Sequence, residues 1–236
     1  MGEVAESVVS RSTPGEGRNR WGLVSAALLA RGSGQPGRST RTLLRSGPHP
    51  EPMPTELPDA EYRSRLRELR GKLANTDADA AVWFSATSIH YVSGFEHVQT
   101  ERPVCLAVTD ERIEIVVPRL EVERVQSVDR IDAVHHYFDY PQGRPIETVA
   151  GMLDGLGVDR VVADSDGAPG VMGYEGPALS AFVGVETQSW VSRMRWEKTD
   201  AEIDLIRESA KWGNLAHRYL ADYTEPGAHP ATVSQR

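Results

Sequence analysis

Cysteine is nearly absent: the 236-residue chain has one, Cys105. A single thiol excludes an intramolecular disulfide and suits a reducing, cytoplasmic setting. Cys105 stands in the apolar run Val104-Cys105-Leu106-Ala107-Val108, which reads as a buried strand with a structural thiol. Lysine is scarce, with only Lys72, Lys198 and Lys211. No apolar run nears the ~20 residues that span a bilayer; the longest, residues 23–30, is broken by Ser25. A membrane partner is therefore not expected. A basic stripe is missing too. Residues 1–50 net +4, and the remaining 186 net −12. An acidic body cannot neutralise phosphates, which excludes nucleic acid as a partner of the folded part. No Arg-Arg pair precedes the short apolar stretch, so a twin-arginine export signal fails, and Glu3, Glu6 and Glu16 count against a transit peptide. No internal repeat is present.

Hydrophobic residues make up 39% and charged residues 25%, an ordinary balance for a globular protein. Residues 1–52 are rich in Gly, Ser, Pro and Arg and show no sustained period. Such a segment cannot bury enough apolar surface to offset its ordering, so a disordered extension is expected there. Met53 directly precedes patterned sequence and is read as the natural first residue.

Patterning begins at Asp59, an expected N-cap. Tyr62, Leu66, Leu69 and Leu73 then repeat at helical spacing. Residues 80–84 read as a buried strand, 85–91 as a polar, turn-forming connection, and Gly94 as a break. Two β-rich runs, 104–108 and 113–117, flank a four-residue polar link and predict an antiparallel hairpin. Leu120, Val122, Val125 and Val128 predict a helix. A strand is expected over 131–137. Pro145 suits the first turn of the next helix, with Ile146, Val149, Met152, Leu153 and Leu156 facing inward and Gly157 at its end. Residues 158–163 read as a strand, 174–182 as a short helix and 183–188 as a short edge strand. This order implies an α/β fold, a mixed sheet flanked by helices.

Thr199 and Glu202 fit a capping box that opens a long helix running to about Tyr223, ended by Pro226-Gly227. Ile203, Ile206, Ala210, Gly213, His217 and Leu220 share one face; Trp212, Leu215 and Tyr219 lie off it. Residues 225–236 read as a loop entering a new helix.

Other constellations are weak. Asp164-Ser165-Asp166-Gly167 echoes the start of a calcium loop, but the later ligand spacing fails, and a strand-end turn is the simpler reading. His135 and His136 are adjacent on a strand and so point to opposite faces, against a metal pair. Ser85, Ser88 and Ser93 have no spacing that argues for a nucleophile triad.

Five segments, in order over roughly residues 59–230, resemble the creatinase/prolidase family. They are Ser88-Ile89-His90-Tyr91-Val92-Ser93-Gly94-Phe95, then Glu101-Arg102-Pro103, Pro118-Arg119-Leu120-Glu121, Arg195-Trp196-Glu197-Lys198-Thr199-Asp200-Ala201-Glu202-Ile203, and Glu225-Pro226-Gly227. The resemblance implies a creatinase amino-terminal-like domain over 53–193, then over 194–236 a linker and the start of a truncated α+β "pita-bread" catalytic domain. It implies a hydrolase: an Xaa-Pro aminopeptidase or dipeptidase, or a creatine-type amidinohydrolase. Such enzymes use two divalent metals (manganese, cobalt or zinc), held by Asp, His and Glu downstream of the Pro-Gly turn. None of those ligands can be placed in this chain, so no catalytic or metal-ligating residue is expected in it. The resemblance further implies a homodimer acting on proline-containing peptides. It makes Arg102, with His97, a candidate contact to a substrate carboxylate. The alternative is that both are ordinary surface side chains. A non-catalytic binding or dimerisation domain, or a remnant, is the competing reading of the whole chain.

Overall fold

The computed structural model describes residues 57–139, 143–167, 174 and 176–234. The extension expected over 1–52, and Met53, lie outside the described residues.

The elements run α1 (Asp59–Leu73), β1 (Ala80–Trp83), α2 (Ala86–Ser93), β2 (Cys105–Val108), β3 (Ile113–Pro118), α3 (Val122–Val125), β4 (Ala133–Tyr137), α4 (Pro145–Gly155), β5 (Arg160–Ala163), β6 (Gly184–Thr187), α5 (Trp190–Met194), α6 (Asp200–Tyr223) and α7 (Pro230–Ser234). The six strands lie in the order β4-β3-β2-β1-β5-β6. β2 pairs antiparallel with both neighbours, and the other pairings are parallel. The sheet is mixed, as its connections require. Five strands share a direction, so their carboxyl ends open on one edge together with the entrance to β2.

Strand alternation divides the core into two layers. Trp83, Leu106, Ile115 and Val117 face Leu66, Leu69, Ile89, Val92 and Val125 on one side. Val82, Cys105, Val116 and Val161 face Ile146, Val149 and Leu153 of α4 on the other. Alternating side chains along a strand produce this division, and helices must cover both faces. The hairpin turn is closed by Thr109, whose amide donates to the Arg112 carbonyl at 2.9 Å and whose hydroxyl accepts the Arg112 amide at 2.9 Å.

Several expectations are corrected. Pro58, not Asp59, is the cap residue of α1; the Asp59 carboxylate instead meets Nη1 of Arg130 at 2.9 Å. Residues 86–93 form a helix, not a turn. Ile89 and Val92, three apart, lie on its buried face, and the amide of its first residue, Ala86, donates to the Gln99 side chain at 3.3 Å. The helix expected from Leu120 is a 3₁₀ turn, Arg119–Glu121, running into the short α3, with Leu120 exposed. Within 174–182 the described residues hold only a 3₁₀ turn, Leu179–Ala181; Pro177 disfavours helical backbone at Gly176 before it. A short helix that periodicity did not reveal, α5, is seated by Val191, which is buried. The long helix carries the full capping box and ends at Tyr223 as expected, and α7 follows the Pro226-Gly227 turn.

Candidate functional site

The carboxyl edge of a largely parallel sheet is where ligands bind in open α/β folds. Here the loop from α2 to β2, the 3₁₀ turn after β3 and the end of β4 meet at that edge. They enclose a cleft of about 130 Å³ lined by His97, Val98, Thr100, Arg102, Pro118, Leu120, Glu121 and Arg124, among others. Both residues singled out from the sequence, His97 and Arg102, line it. A larger hollow of about 500 Å³ lies at the opposite edge, near the hairpin turn. Its polar groups serve the fold: Arg70 Nε donates to the Thr109 carbonyl, and Asp79 accepts the amides of Asp159 and Arg160.

The cleft depends on how α2 ends. Gly94 takes the left-handed conformation, φ 80°, and its amide closes on the His90 carbonyl at 2.8 Å. A β-carbon there would meet Arg130 Nη2 at 3.1 Å and the Tyr62 ring at 3.3 Å. Ser93 is fully buried; its hydroxyl donates to the Ile89 carbonyl at 2.7 Å and accepts the Phe95 amide at 3.1 Å. Phe95 is thereby held in the core, and the His97 ring stacks on it at 5.4 Å between centroids.

His97 Nδ1 is buried without a hydrogen-bond partner. Burial lowers the pKa of the ring; Glu121 opposes this, while Arg124 and His90 add to it. Arg124 completes the wall: Nη1 donates to Glu121 at 2.6 Å and Nη2 to the Glu96 carbonyl at 2.8 Å.

Arg102 is half exposed. Its Nε donates to Asp139 Oδ1 at 3.0 Å, and Nη1 lies 3.5 Å from Glu101. The Tyr137 hydroxyl, buried and donating to the Pro103 carbonyl at 2.9 Å, pins the following residue. Burial raises the Tyr137 pKa, so it remains a donor. The cleft therefore offers a guanidinium and an imidazole beside the exposed apolar side chains Val98 and Leu120. A guanidinium fork suits a carboxylate, and the apolar rim suits small hydrophobic groups.

The remaining candidates have structural roles. Asp164 accepts the amides of Phe84 and Ser85 at 2.9 and 3.0 Å and so fixes the entry to α2 from 80 and 79 residues away. Burial raises its pKa, opposed by those bonds and by Ser88. Asp166 accepts the amide and hydroxyl of Ser180. The segment is a strand-end turn, as the simpler reading held. His135 Nε2 lies 2.7 Å from Glu114, which also receives Arg112 at 2.8 Å; His136 turns its edge to Phe138. Glu114 is a buried carboxylate on a sheet strand, and these two partners compensate it. Cys105 is fully buried, and burial and Asp164 raise its thiol pKa, so it stays protonated. Among the described residues no three His, Cys, Asp or Glu gather where a metal could bind. The described side chains do not fit the dinuclear centre that the family resemblance implies. No helix among them is long and apolar enough to cross a membrane.

Asp139 escaped notice in the sequence, and Glu121 was noted only as part of the family segment Pro118-Arg119-Leu120-Glu121. Asp139 carries no local signal, since its arginine, Arg102, is 37 residues away, whereas Glu121 pairs with Arg124 only three residues on.

The family model described as the creatinase/prolidase N-terminal domain matches residues 65–208. No curated protein matches the chain. Among solved structures, the chain is similar to an Xaa-Pro dipeptidase from Bacillus anthracis: 17% identity, 74% of this chain and 47% of that one covered, TM-score 0.56. It is also similar to the creatinase/prolidase N-terminal domain of an X-Pro dipeptidase from Streptococcus pyogenes: 20% identity, 56% and 98% covered, TM-score 0.44. A proline dipeptidase from Streptococcus pneumoniae matches at 25% identity, 57% and 98% covered, TM-score 0.44. The alignment spans about half the length of the Bacillus anthracis protein, and that likeness is one of fold.

Proposed function

Because the chain belongs to the creatinase/prolidase family through its amino-terminal domain, we propose that it is the substrate-contacting front part of an Xaa-Pro-type metallopeptidase. The observation that carries this reading is the meeting of His97 and Arg102 in one cleft at the carboxyl edge of the sheet. Arg102 pairs with the carboxylate of a proline-containing peptide, and His97 stands beside it as a neutral polar contact. The apolar rim of Val98 and Leu120 lies against the peptide's side chains. Hydrolysis belongs to a dinuclear metal site in a further domain that α6 begins. In a homodimer the cleft would lean over that site, its own or a neighbour's.

The test is kinetic. The protein isolated from its native host is weighed intact against 25.9 kDa and assayed on Xaa-Pro peptides with added manganese, cobalt or zinc. Arg102→Ala is expected to raise KM about tenfold or more at similar kcat, the size of one lost charge-assisted contact. Unchanged KM and kcat would remove Arg102 from the substrate site. Hydrolysis of creatine in place of Xaa-Pro peptides would move the chain to the amidinohydrolase branch. A host protein of 25.9 kDa or less, without hydrolysis, would favour a binding or dimerisation domain.

A further inference from the structure

α6 runs for 24 residues and none of them is buried. Packing therefore does little to set its direction, and something at its root must. Glu202, in its first turn, uses both carboxylate oxygens. Oε2 accepts the Thr199 amide at 2.9 Å and completes the capping box. Oε1 accepts Nη2 of Arg65 at 2.9 Å, from α1, 137 residues away.

Arg65 is an unusual place for a charge. Its side chain is 4% exposed, and that of Glu202 15%. Nη1 donates to the Tyr91 carbonyl at 2.7 Å, near the end of α2. The guanidinium lies 3.8 Å from the centroid of the Tyr91 ring. One planar group thus joins α1, α2 and α6, with two donors spent on two elements and its face on an aromatic ring. Removing either member of such a buried pair strands the other charge. A lysine could not replace it, because a single ammonium cannot span both acceptors while stacking.

The linker before α6 is held separately. Val191 seats α5 in the core, the Tyr91 hydroxyl reaches the Met194 carbonyl at 3.5 Å, and Lys198 Nζ bonds the carbonyls of Arg195 and Trp196. These contacts locate where α6 begins. A second fixed point is needed to set its axis, and the Arg65–Glu202 contact supplies it.

We infer that Arg65 is a positioning residue, a rigid joint that sets the direction in which α6 leaves the α/β layers. Whatever α6 carries is thereby held in register with the His97–Arg102 cleft. That consequence rests on the function proposed above; the joint itself does not.

The test measures a distance in the full chain. Cys105 is the only cysteine and is fully buried, so spin labels attached after Arg67→Cys on α1 and Arg218→Cys on α6 report one separation by pulsed electron resonance. Both positions are exposed. The parent is expected to give a narrow distance distribution. Arg65→Met, Arg65→Lys and Glu202→Ala are each expected to lose it. Thr199→Ala removes the cap hydroxyl but leaves the ion pair, and is expected to keep the narrow distribution. Should Arg65→Met fail to fold, Glu202→Ala, on a half-exposed helix, carries the test. A parent-like width in Glu202→Ala would overturn the joint. Equal broadening by Thr199→Ala would overturn it too, assigning the effect to fraying. No substrate or further domain enters this measurement, so it can fail while the Arg102 kinetics hold, and the reverse.

Discussion

His97 has its pKa lowered chiefly because burial strips water from the ring; Glu121 pulls the other way, and Arg124 and His90 reinforce the lowering. A folded-state value below the unfolded one means stability that is present above pH 6.5 and lost as pH falls through the folded midpoint. A titration of the His97 ring proton by nuclear magnetic resonance is expected to give a midpoint under 6.5. A midpoint at or above that value would show that Glu121 outweighs burial. The neighbouring charges follow the same logic. Arg102 and Arg124 each spend part of a guanidinium on a carboxylate, Asp139 and Glu121 respectively. Such pairing fixes their rotamers at the cleft, whatever little it adds to stability at half-exposed sites. Asp164, half-buried, and Glu114, buried, show what a carboxylate drawn out of water requires: two backbone amides for one, an arginine and a histidine for the other.

At the scale of elements, α2 has the most consequence for the cleft. It is only eight residues long, too short to hold in isolation. Asp164, just past the end of β5, fixes the two residues that lead into it, and Gly94 closes the other end with a left-handed turn. Gly94→Ala combines positive φ with a β-carbon crowded by Arg130 and Tyr62. It is expected to cost about 1–2 kcal/mol, the left-handed penalty for an L-residue, with any crowding added. The urea midpoint checks this; an unshifted midpoint would mean that the turn accommodates a side chain without strain. α6 is the contrasting element. Its capping box and helical spacing are complete, yet its apolar side chains Ile206, Trp212, Tyr219 and Leu220 are exposed. Rare, brief opening of a helix without packing speeds its hydrogen exchange, while its mean direction is still set at its root.

For the whole molecule, stability should therefore be uneven. In the 236-residue chain alone, amides of 206–223 are expected to exchange hydrogen fastest among the regular elements, and those of β1, β2 and β3 slowest, at rates set by global unfolding. Full protection of α6 in a monomer would favour a self-sufficient module over the front of a larger enzyme. Aggregation through the exposed aromatic face would accord with a missing packing partner. Much of this architecture was legible in the residues alone. The spacing of Tyr62, Leu66, Leu69 and Leu73 set α1, the polar link at 109–112 set the hairpin, Pro145 opened α4, and Thr199 with Glu202 opened α6. Each of those signals lies within a few residues, the range over which periodicity and capping act. The helix at 86–93 was not legible, because Asp164, which fixes the chain entering it, stands just past the end of β5, 79 residues beyond Ser85. Nor could the chain order show that His97 and Arg102 share a cleft with Glu121 and Arg124, or that Arg65 reaches Glu202. Those contacts depend on the strand order β4-β3-β2-β1-β5-β6, which brings distant segments to one edge and which local periodicity does not encode. The sequence by itself determined α1, the hairpin strands, α4, α6 and the family motifs; the tertiary structure decided α2 and α5 and which side chains meet, because contact is a property of packing rather than of spacing along the chain.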